Sequence, residues 1–244
     1  MKLYDELADW WTLFSHPADY EEEAGLYSDA IDRLARRDVR RVLELGCGGG
    51  NNATHMKARY DLTLTDVSKR MLEVSRRQNP ECRHELGDMR TLRLGERFDA
   101  VFVHDAVMYM TTNEDLVAAV TTAAGHLEPG GVALFVPDDT TETFRPSTEH
   151  GGHDGDGRAL RYLMWDRLDR DRSAHVDFVI VLEDADGVRV EHDTHRFGLF
   201  PRQVWLDLIS GAGLQPHTLP YDHSEFDPGH GRALFAGVSP MDEE

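Results

Sequence analysis

The chain has 244 residues, 40% of them hydrophobic, which suits one α/β domain with an elaboration rather than several domains. Lys and Arg number 26 against 45 Asp and Glu, and the net charge of −19 repels phosphate backbones and disfavours a nucleic-acid partner. Two cysteines make no disulfide framework, no apolar run approaches ~20 residues, and Met1 to Asp9 lacks an apolar signal core. A cytoplasmic protein without membrane contact is therefore expected.

Residues 2–37 read as helices. An aromatic cluster at Trp10, Trp11 and Phe14 is broken by Pro17, and a second helix runs from Tyr20 to Arg37. Val39–Leu45 is a short apolar strand that enters a glycine cluster. Residues 52–59 read as a helix, 62–65 as a strand, 68–77 as a helix, 82–86 and 98–103 as strands. Asp115 to Leu127 is an amphipathic helix ending at Pro129-Gly130-Gly131, and Val132–Val136 is a fifth strand. Strands alternating with helices at this spacing predict a parallel sheet covered on both faces, with any ligand at the carboxyl ends of its strands.

The rhythm changes after Val136. Residues 137–158 read as a polar loop, and 159–168, 175–183 and 188–199 alternate as antiparallel strands. Asp184-Ala-Asp-Gly187 is a hairpin turn signal. Pro201 opens a helix to Ala212, and 214–220 and 232–238 close the sheet at seven strands. The expected organisation is a single domain: N-terminal helices (1–37), a ligand-binding core (38–136), an inserted antiparallel flap (137–200), and a C-terminal helix with closing strands (201–244).

The sharpest signal is Val42-Leu-Glu-Leu-Gly46-Cys-Gly48-Gly49-Gly50-Asn51, a strand feeding glycines that let backbone approach a ligand closely. The dinucleotide fingerprint requires glycine at position 51, where this chain has Asn, which opposes a nicotinamide cofactor. The Glu-x-Gly-x-Gly-Gly form instead resembles motif I of the class I, Rossmann-like S-adenosylmethionine (SAM)-dependent methyltransferases. Asp66 ends the next strand, where a carboxylate can accept both ribose hydroxyls of an adenosine. Gly87-Asp88-Met89-Arg90 follows the third strand, and the resemblance implies that Asp88 and Met89 hold the adenine. Leu127-Glu-Pro-Gly-Gly-Val132 is similar to the family's turn into its fifth strand. Cofactor contacts are thus expected at Glu44, Gly46, Cys47, Gly48, Asp66, Val67, Met71, Asp88, Met89 and His104.

Further segments resemble the bacterial amino-sugar N,N-dimethyltransferases of macrolide biosynthesis: Leu3-Tyr4-Asp5, Asp19-Tyr20, and Glu191-His192-Asp-Thr-His195-Arg196-Phe-Gly-Leu-Phe200. This resemblance implies a flap over the sugar and adds Tyr4 and Tyr20 to the cofactor pocket. Those enzymes carry a His shortly after the fourth strand, whereas here His104 ends that strand and Tyr109 follows. His104 and Tyr109 are the expected catalytic or acceptor-contacting groups, with Asp105 orienting His104 or an amine.

Eight of the 13 histidines lie beyond residue 145, but the pairs His150/His153 and His192/His195 lack the spacing of a closed zinc site, so no metal is expected. The leading function is methyl transfer from SAM to a small molecule, first to an amine nitrogen. An O- or carboxyl-methyltransferase and a SAM-binding protein without transfer are the alternatives. Oligomeric state is open, a homodimer included. Deleting 145–196 is expected to spare SAM binding and remove turnover.

Overall fold

The computed structural model describes residues 1–169, 173–226 and 229–242. The N-terminal part holds a short helix α1 (Trp11–Phe14) and α2 (Glu21–Leu34). The alternating core follows as β1 (Arg41–Leu45), α3 (Asn51–Met56), β2 (Asp61–Asp66), α4 (Lys69–Gln78), β3 (Arg83–Leu86), β4 (Phe98–Val103), α5 (Asn113–Gly125) and β5 (Leu127–Phe135). Next come β6 (Thr148–Gly151), β7 (Asp154–Gly155), β8 (Arg158–Leu168), β9 (Ala174–Asp184) and β10 (Gly187–Phe197). The chain closes with α6 (Arg202–Gly211), β11 (Gln215–Pro220) and β12 (Ala233–Val238).

One sheet has seven strands in the order β11-β12-β5-β4-β1-β2-β3, parallel from β5 to β3, with β12 antiparallel to β5. Every residue of β4 is buried, as expected for a central strand covered on both faces. Tyr27 and Ile31 of α2, Met56 of α3 and Leu72 of α4 cover one face; Leu116 and Val120 of α5 and Trp205 and Ile209 of α6 cover the other. The order of connection reverses between β1 and β4, which opens a crevice at their carboxyl ends. Side-chain caps fix two helix starts: Ser68 Oγ accepts the Met71 N–H, and Thr112 Oγ1 accepts the Asp115 N–H.

The second sheet is antiparallel, in the order β10-β9-β8-β6, with β7 paired to β8. Its inner face presents Leu160, Val176, Phe178, Ile180 and Leu182, which pack on Leu3, Leu7, Trp10 and Leu13. The N-terminal segment and the flap therefore share one core. That contact changes the expectation for a 145–196 deletion: it would uncover the segment that carries Tyr4 and Trp11 into the cavity described below.

Two local expectations are corrected. The helix ends at Gly125, and Leu127–Gly131 already belong to β5, with a register shift against β4 between Phe98 and Ala100. Ser239 N–H donating to Gly131 O and Gly130 N–H donating to Pro240 O give this irregular strand its partners. The polar stretch 137–158 is not wholly loop, because β6 and β7 pair with the open edge of β8. Edge pairing uses backbone groups, so it leaves little hydrophobic signature. Among the described residues, no helix is long and apolar enough to cross a membrane.

Candidate active site

The glycine cluster turns the chain at the end of β1. The N–H groups of Gly46 and Cys47 both donate to Thr65 O at 2.8 Å. Asp66 Oδ2 accepts the Gly48 N–H at 2.8 Å and Asp66 Oδ1 accepts the Ser68 N–H at 2.7 Å. These bonds join the turns after β1 and β2 into one unit. Gly46 has φ +81°, and a Cβ there would stand 2.4 Å from that of Ala106. Gly46→Ala combines backbone strain with overpacking and should cost about 3 kcal/mol, read as a drop in thermal unfolding temperature. A melting temperature equal to wild type would contradict this packing. Gly48, at φ +53°, differs: a Cβ would meet only Met71 Cε at 3.9 Å. Its backbone is open to a ligand.

These turns wall one side of a cavity of 720 Å³, within the range of about 300–1,000 Å³ typical of small-molecule sites. Every residue expected at the site lines it: Tyr4, Tyr20, Glu44, Gly46, Cys47, Gly48, Asp66, Val67, Met71, Asp88, Met89, His104 and Tyr109. The ends of β2 and β3 bring Asp66, Val67, Asp88 and Met89. The segments after β4 and β5 bring His104, Asp105 and Asp138, and the flap brings Met164, Phe178 and Phe197.

A methyltransferase-domain family model matches residues 42–131, the stretch holding both turns. The chain is 31% identical over 236 residues to dTDP-3-amino-3,4,6-trideoxy-alpha-D-glucopyranose N,N-dimethyltransferase of Streptomyces venezuelae, covering 95% of this chain and 97% of that one. It belongs to the SAM-dependent methyltransferases. The crystal structure of Streptomyces venezuelae DesVI superposes with a TM-score of 0.82 at 30% identity, covering 95% of this chain and 98% of that one. The SAM-bound amino pentose methyltransferase CalS10 from Micromonospora echinaspora gives 0.75 at 27%, covering 90% and 91%.

The residues of this methyltransferase fit SAM. Asp66 is buried and has lone pairs beyond its two backbone bonds for a diol, and Gly48 leaves the space for one. Met71, Met89 and Val67 offer apolar contacts. Asp88 is already gripped by Arg90, which also bonds Asp115 Oδ1 at 2.8 Å; this ties the turn after β3 to α5. Burial pushes the Glu44 carboxyl up to about 8; His104 opposes the rise and Asp66 adds to it. A cationic ligand favours the carboxylate, so below pH about 8 SAM binding should release a proton and tighten as pH rises. Titration calorimetry in buffers of different ionisation enthalpy reads this, and Glu44→Gln should abolish the release. An unchanged proton count in Glu44→Gln would assign the titration to another group.

Around His104 the structure assembles a network that sequence reasoning missed. The His104 ring is 3.0 Å from Tyr27 Oη, which donates to Tyr221 Oη at 2.9 Å, which donates to Glu23 Oε2 at 3.4 Å. Asp105 Oδ1 lies 2.9 Å and Glu23 Oε1 3.6 Å from His104 Nε2. Burial works against the imidazolium, but Asp105 and Glu23 overcome it and raise His104 to about 10. Asp138 meets Asp105 carboxyl to carboxyl. Burial and the Asp105 charge push Asp138 well up, while His104 holds Asp105 down against its own burial. The two neighbouring carboxyls are thus pushed in opposite directions, Asp105 down and Asp138 up. Glu23 and Tyr27 are one helical turn apart on α2, and Glu23 follows Glu21 and Glu22 in an acidic first turn that gives no local sign of an inward role. Asp138 was findable, since it follows the carboxyl end of β5.

Cys47 and Cys82 are both unpaired. Among the described residues, no group of three His, Cys, Asp or Glu side chains is placed to hold a metal ion. His153 instead pairs with Asp19, and His195 is buried against Tyr109.

Proposed function

We propose that this methyltransferase acts on the amine nitrogen of a small molecule, an amino sugar, in the cytoplasm. The observation that carries this reading is the acidic wall of the cavity, where Asp105 and Asp138 face the interior and Glu23 stands behind His104. Carboxyl groups there attract an ammonium and accept N–H bonds. They repel a carboxylate acceptor, which argues against carboxyl methylation. The amino-sugar methyltransferases among the relatives support the same class.

In this reading Asp66, Glu44, Gly46, Cys47 and Gly48 hold SAM from one side, and Val67, Met71, Asp88 and Met89 from the adenine side. Tyr4 and Tyr20 cover it. SAM supplies, when bound, an electrophilic methyl on a sulfonium. The chain's own task is to orient the acceptor, exclude water and remove a proton. Asp105 is free to accept an acceptor N–H, since His104 holds it ionised. His104 is a positioning group through that contact, and Tyr109 contacts the acceptor from the flap side. The flap closes the acceptor end with Met164, Phe178 and Phe197. A homodimer would use the flap's outer face, where Leu163, Trp165 and Val190 are exposed. Nucleic acid has no part in this reading, because the surface is strongly acidic.

The test is direct. Incubation with SAM and dTDP-3-amino-3,4,6-trideoxy-alpha-D-glucopyranose should give two successive methyl additions by mass spectrometry. Bound SAM with no S-adenosylhomocysteine formed on a panel of amino sugars would favour a binding protein. A single addition on oxygen would favour an O-methyltransferase.

A further inference from the structure

Asn51, the residue that breaks the dinucleotide pattern, ties the glycine turn to the N-terminal segment. It opens α3 and is 4% exposed. Gln78 Nε2 donates to Asn51 Oδ1 at 3.4 Å. The amide so turned places Asn51 Nδ2 to donate to both Ser15 O and Ser15 Oγ at 3.1 Å. Ser15 Oγ lies 2.6 Å from Tyr20 Oη. His55 of the same helix reaches Pro17 O, 2.8 Å from its Nε2. Side chains of α3 thus hold the stretch from Ser15 to Tyr20 against the glycine turn. Ser15, Tyr20 and Asn51 all line the cavity.

The position of this cluster bears on the charge of SAM, which carries a carboxylate as well as a sulfonium. Glu44, Asp66, Asp105 and Asp138 make the cavity wall acidic and repel a carboxylate. Among the cationic side chains of the lining, Lys69, Arg70 and Arg90 follow β2 and β3, on the side assigned to adenosine. His104 is matched by Asp105 and Glu23. Neutral hydroxyl and amide donors are then what the carboxylate meets. Tyr20 reaches from the glycine turn toward the acceptor wall, with its ring edge-on to that of His104 at 6.4 Å. With the ribose on Asp66 and the methyl facing Asp105, the amino-acid arm of SAM crosses this space. Burial raises the Tyr20 hydroxyl above its ordinary value, with Asp105 adding to the rise and Ser15 opposing it, so the phenol keeps its proton and can donate it.

We propose that Asn51 and Ser15 are positioning residues that aim the Tyr20 hydroxyl at the carboxylate of SAM. The proposal rests on the cofactor placement above, with the ribose on Asp66. The Asn51 amide occupies Ser15 Oγ as an acceptor and fixes the Ser15 rotamer, and the Ser15 proton goes to Tyr20 Oη. The phenol proton then points into the cavity. A cation at this point would weaken the pull of Asp105 on an ammonium acceptor, and a neutral donor does not.

Titration calorimetry with two ligands decides it: SAM, and decarboxylated SAM, which keeps the adenosine, the sulfonium and the amine. Tyr20→Phe should weaken SAM ~20-fold, in the range of a hydrogen bond to a charged group, and Ser15→Ala should weaken it ~5-fold. The double variant should lose no more than Tyr20→Phe alone, because Ser15 acts through the phenol. Decarboxylated SAM should bind all three within about threefold of its wild-type affinity. If both ligands weaken alike, these residues serve packing and the proposal is overturned. Losses that multiply in the double variant overturn the positioning role of Ser15. Asn51→Ala should repeat the Ser15→Ala pattern. Ser15→Ala and Tyr20→Phe each remove one oxygen from a half-buried side chain, so they carry the test if Asn51→Ala unfolds. Asp66→Ala separates the underlying placement: it should weaken both ligands. If it weakens neither, the ribose lies elsewhere, and the difference between the two ligands still judges Tyr20.

Discussion

Asp66→Ala should weaken SAM binding by ~100-fold, about 2.8 kcal/mol, measured by titration calorimetry. Three losses combine. The substitution removes the carboxylate assigned to the ribose diol. It leaves the Gly48 and Ser68 N–H groups without their partner. It also frees the turn after β1 from the turn after β2, so the glycine backbone is no longer held for a ligand. Circular dichroism should show the fold retained, because β1 and β2 remain paired along Arg41–Leu45 and Asp61–Thr65. Affinity within about threefold of wild type, ~0.7 kcal/mol, would move the cofactor away from this turn.

Asp105→Asn should lower kcat/KM for an amino-sugar acceptor by ~100-fold while leaving the SAM dissociation constant within about threefold. The side chains differ by little in shape, so the change isolates charge. The carboxylate attracts an ammonium group and accepts its N–H bonds, and the amide does the first not at all. Losing Asp105 also removes the strongest group holding His104 charged, so His104 should titrate lower in Asp105→Asn than in the intact protein. The raised imidazole is protonated below about 10 in the intact protein, and that stabilisation shrinks when its partner is neutral. Equal kcat/KM for both proteins would remove the acidic wall from acceptor recognition.

Much of the cavity lining around the glycine turn was legible because its residues are close in sequence. Glu44 to Gly48 and Asp66 to Met71 occupy the ends of neighbouring parallel strands, and strand–turn–helix spacing brings such ends together. Asn51 excluded the dinucleotide pattern on its own. The acceptor end was only half legible. His104 and Tyr109 were visible as polar groups after β4, yet their partners lie far along the chain. Tyr27 and Tyr221 meet across 194 residues, and Tyr109 and His195 across 86. His192 and His195 lacked the spacing of a closed zinc site, and the fold places His195 against Tyr109 and Asp193.

The sequence by itself determined the alternating core, the glycine turn, the carboxylate at the end of the second strand and the family. Each depends on local geometry: strand period, backbone freedom at glycine and short connections. Only the tertiary structure decided which face of α2 looks inward, that the N-terminal segment shares its core with the flap, and that Asp105 and Asp138 stand together beside His104. Those outcomes depend on burial and on charges meeting across the fold. Desolvation and Coulomb interactions at a few ångströms are set by packing, and packing joins residues that chain order keeps apart.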